Sequence, residues 1–246
     1  MKICIDTHTH SVSSGHAYST VDDLARGARK RGLKGFVLSD HGPAMPGGPP
    51  PYHFSNLRII PKKLFGLMFF TGVETNIMDD AGGLDLAPVY CKRLDFVMAG
   101  FHEICFASHG QTVNTQALLA VLANPLVDAV SHPGNPLFPI DIEEVVKATA
   151  KYGKALEINN SSFRIRPGCE ENCRRVAQLS RQYGSLLSCG SDAHYWRDVG
   201  NFTAAKALLE ETGVPPELVI NSSLERFKEF VKKRRAARAE VPVKKL

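Results

Sequence analysis

The sequence has no long uninterrupted hydrophobic run, although 43% of its 246 residues are hydrophobic. Its first apolar stretch ends at Asp6, with histidines directly behind it. That stretch is too short for a signal peptide or a membrane-spanning helix. We therefore expect a cytoplasmic protein that makes no contact with a membrane.

Paired cysteine motifs are also missing. The six cysteines lie in apolar or helical contexts, without the C-x-x-C spacing of a zinc finger or a redox site. Cys169 and Cys173 are four residues apart on a predicted helix, where a disulfide would require a distorted helix. We expect these cysteines to be reduced thiols that pack as small hydrophobic side chains, and we assign them no further function.

The chain has little excess positive charge outside its last fifteen residues. Of the net charge of +5, residues 232–246 carry +6, from seven Lys or Arg and one Glu, which leaves −1 for the rest. A nearly neutral body lacks the distributed basic face of a nucleic-acid-binding domain. This argues against a nucleic-acid partner and favours a solvated basic end to the last helix. Contact of that end with nucleic acid or an acidic membrane is the alternative.

The sequence does contain short apolar runs that alternate with amphipathic segments. The runs at residues 3–5, 36–38, 68–73, 96–99, 129–130, 155–158 and 186–189 predict seven strands. Segments 20–31, 115–123, 141–152 and 170–183 predict helices, with Asp141 as an N-cap and glycines at 32, 153 and 184 as C-caps. Strands that alternate with helices pair in parallel, and seven such units favour an α/β barrel over an open sheet.

The length fits one barrel domain, which we place at residues 1–238 with a basic tail at 239–246. The final predicted helix, 222–238, presents Leu224, Phe227 and Phe230 on one side, and we expect it to pack on the barrel wall. The loop 42–51 is rich in proline and glycine, so we expect an irregular surface segment over the strand ends.

Polar residues of the types that bind metal ions follow six of the seven runs. They are Asp6, His8 and His10 after the first, Asp40 and His41 after the second, Glu74 after the third, His102 after the fourth, His132 after the fifth, and Asp192 and His194 after the seventh. The carboxyl ends of barrel strands converge on one face, where barrel active sites are built. The pattern predicts one site fed by six chain-distant segments.

The spacing within these segments supports metal binding. On extended backbone residues i and i+2 point the same way, so His8 and His10 can reach one ion. His16 lies in the loop just beyond the first strand. One histidine at a strand end is more often structural, but seven of the nine histidines fall at these positions. Imidazole and carboxylate without thiolate are typical of an open, catalytic site for zinc, manganese or iron.

The motifs then resemble those of the polymerase and histidinol phosphatase (PHP) family, most closely its small single-domain bacterial branch, the YcdX type. The residues concerned are His8-Thr-His10, His16, Ser-Asp-His at 39–41, Gly-Val-Glu-Thr-Asn at 72–76, Gly-Phe-His at 100–102, Ser-His-Pro-Gly-Asn at 131–135 and Gly-Ser-Asp-Ala-His at 190–194. They span residues 6–194 in the family's order. The resemblance implies a distorted (β/α)7 TIM-like barrel, and a homo-oligomer such as a trimer.

The resemblance also implies a three-metal site, most simply of Zn²⁺, with Mn²⁺ or Fe²⁺ as alternatives. It assigns the first ion to His8, His10, Glu74 and Asp192, the second to Glu74, His102 and His132, and the third to His16, His41 and His194. Glu74 would bridge two ions, and Glu74, Asp192 and His194 would be the catalytic residues. Asp40 would orient His41 or another ligand, because ligating imidazoles usually donate their second N–H to an acceptor.

The implied activity is hydrolysis of a phosphoric ester in a small phosphorylated substrate, by a hydroxide that the ions activate. Arg164 and Arg166, in the loop after the sixth run, are candidates for gripping the phosphate, with a solvated loop as the alternative. The rival functions are an amidohydrolase-like hydrolase, a 3′–5′ exonuclease and a noncatalytic metal-binding module. His53 and His109 lie in polar or proline-rich loops and are interpreted as surface or substrate-facing residues.

Overall fold

A computed structural model describes residues 1–242 of the chain. Seven strands pair in parallel in the order of the sequence. They are Ile5–Asp6 (β1), Gly35–Leu38 (β2), Leu67–Asn76 (β4), Phe96–Gly100 (β5), Ala129–Val130 (β6), Ala155–Asn159 (β7) and Leu186–Gly190 (β8). A two-residue strand, Lys63–Leu64 (β3), pairs antiparallel with β4. All seven predicted strands are present at or next to the predicted positions.

The first and last strands meet, which closes the sheet into a barrel. Thr9 and Ala193, just beyond β1 and β8, form a parallel bridge. The backbone N–H of His10 donates to the carbonyl of Ala193, and that of Asp192 donates to the carbonyl of His8, both at 2.9 Å. The predicted TIM-like α/β barrel is therefore confirmed. Closure also brings the segments after β1 and β8 side by side at one end of the barrel.

Nine α-helices lie among the described residues. They are Val21–Lys30 (α1), Pro51–Asn56 (α2), Pro88–Cys91 (α3), Gln111–Ala123 (α4), Ile142–Tyr152 (α5), Ser162–Ile165 (α6), Cys169–Tyr183 (α7), Thr203–Glu211 (α8) and Leu224–Ala239 (α9). The Thr20 and Asp23 side chains form a capping box at the start of α1. Asp141 accepts from the N–H of Glu144, and Gly153 ends α5 in the left-handed region at φ 59°. The sequence analysis did not predict α2, α3, α6 or α8.

The last helix, α9, closes the amino end of the barrel instead of packing on its wall. Phe227 contacts the rings of Phe70 and Phe96 at 4.9 and 5.7 Å between centroids. Phe70 alternates along β4 with Phe69, which packs in the separate layer beneath the outer helices, so Phe70 points into the barrel. The expected wall position is wrong, because the apolar face of α9 covers these inward-pointing side chains.

The basic segment is not simply a solvated helix end. Arg238 is fully buried and forms an ion pair with buried Asp128, and the Arg234 guanidinium lies 3.1 Å from the same carboxylate. These pairs bind α9 to the segment that precedes β6. Of the predicted basic tail 239–246, residues 243–246 lie outside the described residues. No helix in the described part is both long and apolar enough to cross a membrane.

Candidate metal centre

Closure of the barrel gathers the predicted metal ligands at the carboxyl ends of the strands. Three groups of buried or half-buried donor residues have ligand atoms within 4.8 Å of one another: His8, His10 and Glu74; His41, Glu74 and His102; and His10, His41 and His194. Glu74 and His41 form a parallel bridge, so β2 and β4 hold these two residues in register. The predicted convergence of chain-distant donors is present in the structure.

Glu74 lies at the middle of the cluster and is fully buried. Its Oε2 atom lies 3.0 Å from His41 Nδ1, 3.2 Å from His8 Nε2 and 3.5 Å from His10 Nε2. Its Oε1 atom lies 2.9 Å from His132 Nε2 and 3.4 Å from His102 Nε2. The two oxygens of one carboxylate thus face two different sets of imidazoles, which is the geometry that a bridging ligand needs.

Four donors on the Oε2 side have the spacing of a tetrahedral site. His8 Nε2, His10 Nε2, Glu74 Oε2 and Asp192 Oδ1 lie 2.9 to 3.6 Å from one another in the five measured pairs. A tetrahedron of N and O ligands around zinc has edges of about 3.3 Å, from bond lengths of about 2.0–2.1 Å. Five of the six distances between these four donors thus match such a site, and His8, His10 and Glu74 form one of the three close groups.

The third group that the resemblance implies is only partly assembled. His16 Nε2 and His194 Nε2 lie 3.0 Å apart, and the two rings stack at 4.7 Å. The His41 ring stacks on His16 at 5.0 Å, but its Nδ1 atom faces Glu74. His10 lies close to both His41 and His194. His41 therefore stands between the bridging carboxylate and the His16–His194 pair.

Several buried ring nitrogens and one carboxylate oxygen form no hydrogen bond with any described residue, even where another donor atom of the cluster lies close. They are His41 Nδ1, both ring nitrogens of His102, and Glu74 Oε2. Buried polar atoms without partners are rare, and a bound ion would satisfy those that face the cluster. The donor set of neutral imidazole and ionised carboxylate is the one that zinc and similar ions use. The residues present fit divalent metal ions.

The electrostatics at His10, His132 and Glu74 agree with this fit. Burial, together with the neighbouring His41 and His194, holds the pKa of His10 well below its usual value, so its ring is neutral. Burial and Arg166 lower the pKa of His132 to about 4. Burial raises the pKa of Glu74, but His8, His102 and His41 outweigh it and hold that pKa well below the usual range. The neutral imidazoles of His10 and His132 beside an ionised carboxylate are ready to bind a cation. Burial lowers the pKa of His8, but Glu157, Glu74 and Asp192 outweigh it and hold that pKa well above its usual value, so an ion must displace a proton from this ring.

The backbone at two predicted ligands is strained. His132 and Asp192 have positive φ values, 33° and 55°, and they are two of only three such residues other than glycine in the described chain. Side chains with a Cβ atom rarely adopt this conformation, and strain of this kind clusters at functional sites. Hydrogen bonds hold both residues in place: the N–H of Asp192 donates to His8, and the N–H of His132 donates to Glu157.

Glu157 is a residue that the sequence analysis missed. It is buried in β7, where Oε1 lies 2.8 Å from His8 Nδ1 and Oε2 accepts from the His132 N–H at 2.9 Å. Asn159 Nδ2 donates to the same carboxylate and lies 3.2 Å from Asp192. A Cβ at position 190 would collide with Glu157, so Gly190 allows this close approach. The available signal was an acidic residue within an otherwise apolar strand.

Asp40 supports the cluster through Ser14, and among the described residues its carboxylate forms no hydrogen bond with the neighbouring His41. Its carboxylate accepts from the N–H of Ser11 at 2.7 Å and from Ser14 Oγ at 2.8 Å. Ser14 Oγ lies 3.1 Å from His10 Nδ1. His53, interpreted from sequence as a surface or substrate-facing residue, lies 3.1 Å from Asp40 and is four-fifths buried. Asp40 thus orients the loop that carries His10.

A cleft of about 470 Å³ opens above the cluster. The two predicted phosphate-binding arginines lie on its wall in different settings. Arg166 is mostly buried, donates to Ser162 Oγ at 3.0 Å and lies 3.5 Å from Asp192. Arg164 is 71% exposed and lies 3.9 Å from Asp198. His109 is not part of the cluster, since it pairs on the surface with Asp80.

No family model matches the chain. A protein of Acetivibrio thermocellus named probable phosphatase is 50% identical over 235 residues, which are 96% of this chain and 98% of that protein. A protein of Aeromonas hydrophila with the same name is 44% identical and covers 98% of each chain. Among solved structures, the histidinol phosphate phosphatase of Lactococcus lactis, complexed with zinc, L-histidinol and phosphate, matches with a TM-score of 0.65. At 21% identity over 87% of this chain and 95% of that one, this likeness shows a shared fold.

Proposed function

The chain belongs to the family of bacterial proteins named probable phosphatases, and we propose that it hydrolyses a phosphate ester of a small molecule with divalent metal ions bound at the cluster around Glu74. We further propose that it is a PHP-type enzyme with three ions, most simply zinc. The zinc and phosphate in the Lactococcus lactis enzyme, which shares the fold, support this proposal.

One observation carries the proposal. The buried Glu74 carboxylate presents Oε2 to His8 and Oε1 to His132, at 3.2 and 2.9 Å. A single carboxylate placed between two sets of imidazoles is the arrangement of a centre with two neighbouring ions. When bound, such ions lower the pKa of water and neutralise charge that develops on phosphate oxygens.

Residues of the chain would hold the ions and bind the phosphate. His8, His10 and Asp192 would complete the first ion's site, and His102 and His132 the second. His16 and His194 would hold the third ion, with His41 between this pair and the bridging carboxylate. Arg166, mostly buried and already held by Ser162, is preorganised to grip a phosphate oxygen, whereas exposed Arg164 must give up its contact with Asp198 to do so.

The His16–His194 pair favours phosphate chemistry over an amidohydrolase-like reaction. These two rings, 3.0 Å apart, add donors beyond the set that the Glu74-centred pair of ions would use. A further cation beside the cleft would attract the dianionic phosphate of a monoester. The cleft volume of about 470 Å³ also suits a small substrate.

The test combines metal analysis with phosphate release. Purified protein should contain close to three transition-metal ions per chain by elemental analysis, and it should hydrolyse an aryl phosphate. A strong chelator should abolish hydrolysis and lower the melting temperature, because ions that bind only the folded state stabilise it by mass action. Returning the metal should restore both. A fully active sample with one ion or none would overturn the proposed centre.

A further inference from the structure

A second cavity, of about 560 Å³, borders the metal-site cleft, and we call it the apolar side pocket. Buried Phe101 and Phe138 form its floor, with their rings stacked at 4.9 Å. Ile104, Leu137 and Ile165 line its walls. Glu103 and Asn135 also line the cavity, next to its aromatic and aliphatic side chains. The surface that the pocket presents to an occupant is therefore mainly apolar.

The three aliphatic walls are unusual for a protein surface. Ile104, Leu137 and Ile165 are 68%, 56% and 53% exposed. Single exposed hydrophobic residues are common, but three from separate segments of the chain around one cavity form a patch, and such patches mark binding sites. Ile104 and Leu137 lie in the loops after β5 and β6, and Ile165 ends α6, which follows β7. The patch therefore lies on the same face of the barrel as the metal cluster.

The pocket and the cleft share walls. His102, Ile165 and Arg166 line both cavities. His102 is a proposed metal ligand, and Arg166 is the arginine placed to grip the phosphate. A phosphate held in the cleft would thus lie next to the entrance of the pocket, and the group esterified to that phosphate can extend past Ile165 onto the aromatic floor.

On this geometry we propose that the apolar side pocket binds the leaving group of the substrate, and that the preferred substrates are phosphomonoesters of apolar alcohols. The inference rests on the proposed phosphatase function. Ile104, Leu137 and Ile165 are then specificity-determining residues. When these side chains contact an alkyl or aryl group of the substrate, apolar surface of both the protein and the substrate is removed from water, which favours binding.

A polar pocket on the other side of the cleft is a weaker site for the leaving group. It shares Ser161 and Arg164 with the cleft. Its polar groups already have partners within the fold: Asn160 Oδ1 accepts from the N–H groups of Ala204 and Ala205, and Ser161 Oγ donates to the carbonyl of Ser191. That pocket's polar atoms are used to hold α8 and the loop after β8.

The test compares two alkyl phosphates, hexyl phosphate and glycerol 3-phosphate. Their leaving alcohols are similar in size, but hexanol is apolar and glycerol is polar. The variants are Ile104→Ser and Leu137→Ser, singly and together, at exposed positions where a substitution leaves the core intact. Ile59→Ser is the matched control, since Ile59 is 69% exposed and lines neither cavity. All proteins are loaded with the same metal, and kcat/KM is measured for both esters.

The wild type should prefer hexyl phosphate. The double variant should lower the ratio of the two kcat/KM values by about tenfold, the low end for lost apolar contacts in a binding pocket, while Ile59→Ser keeps the wild-type ratio. A ratio within about twofold of wild type in the double variant would overturn the pocket assignment. If the double variant instead changes the molar mass by light scattering and leaves the ratio unchanged, the patch binds a second copy of the chain, and the assignment is again wrong. Absence of metal-dependent phosphate release from either ester by the wild type would refute the proposed function itself.

Discussion

Replacing Glu157 with glutamine tests how the barrel positions its proposed ligands. The Glu157 carboxylate, buried in β7, lies 2.8 Å from His8 Nδ1 and accepts from the His132 N–H at 2.9 Å and from Asn159 Nδ2 at 3.0 Å. An ionised carboxylate can accept all of these hydrogen bonds with its two oxygens. Glutamine has the same shape but offers one oxygen and one NH₂ group.

Either orientation of the new amide disturbs a ligand. If the NH₂ group faces His8, then Nδ1 must become the acceptor and the proton moves to Nε2, the atom that faces Glu74. A protonated Nε2 cannot bind an ion. If the NH₂ group faces His132, the N–H of that strained residue loses its acceptor, and the ring's position is no longer fixed.

The size of the effect follows from these two alternatives. Loss of a hydrogen-bond partner of a metal ligand typically costs about 10- to 100-fold in metal affinity. Because Glu157 holds ligands of both ions that Glu74 would bridge, we expect Glu157→Gln near the upper value, about 100-fold. This equals about 2.8 kcal/mol of binding free energy at about 1.4 kcal/mol per tenfold.

The assay is a titration of metal-free protein with Zn²⁺ in competition with a chelator of known affinity. Glu171→Gln on α7 is the matched control, since that side chain is 83% exposed and touches no proposed ligand. Turnover of Glu157→Gln should recover in large part at saturating Zn²⁺, because Glu157 positions ligands and does not touch the substrate. A variant with native circular dichroism and wild-type zinc affinity would refute the reasoning.

Three further outcomes are expected. Glu74→Gln should lose the two ions that Glu74 would bridge, retain the third and reduce turnover by several orders of magnitude. His194→Ala should lose the third ion and weaken substrate binding. Three retained ions with near-normal turnover in Glu74→Gln would contradict the bridging role. Burial and two neighbouring arginines lower the pKa of Lys154 to about 7. Between about pH 7 and the usual lysine pKa of about 10.4, Lys154 is protonated in the unfolded chain and neutral in the native state. The unfolded state therefore binds more protons, so the free energy of unfolding rises with pH in this window. Urea denaturation at pH 7 and 9.5 should show that rise, and Lys154→Met should flatten it; an unchanged slope would exclude Lys154 as its source. Deletion of residues 239–246 should leave turnover within about twofold, as for other surface changes, and a folded but inactive truncation would show that the tail belongs to the site.

Most of the barrel was predictable from the sequence because parallel strands are buried on both faces. Strand β6 has its predicted bounds, and β7 and β8 each extend one residue beyond them. Most of the missed elements are short: β3 has two residues and α6 has four, lengths at which hydrophobic periodicity gives no signal. The exception is α8, a helix of nine residues that was also missed. The predicted position of α9 was wrong because the sequence pattern of an apolar helix face is the same whether the helix covers the wall or the end of a barrel.

The candidate site shows the same division. Donor residues such as Glu74 and His132 could be recognised because each follows an apolar run, and chain order alone places them on one face of a barrel. The role of Glu157 could not be predicted, because its partner His8 is 149 residues away. An acidic residue within an apolar strand indicates a buried carboxylate, but it does not identify the residues that the carboxylate contacts. The contact of Asp40 with Ser14, in place of His41, is equally nonlocal.

The order of strands and helices and the chemical types of the donors are therefore properties of the sequence, since they depend on periodicity and on residues next to each run. The tertiary structure decides which donor atoms lie close together, that Glu74 presents one oxygen to each of two groups, and that Arg238 is buried against Asp128. The physical reason is that these distances, of a few ångströms between residues far apart in the chain, depend on strand register and barrel closure. A shift of one residue in the register of a strand would point its side chains to the other face of the sheet.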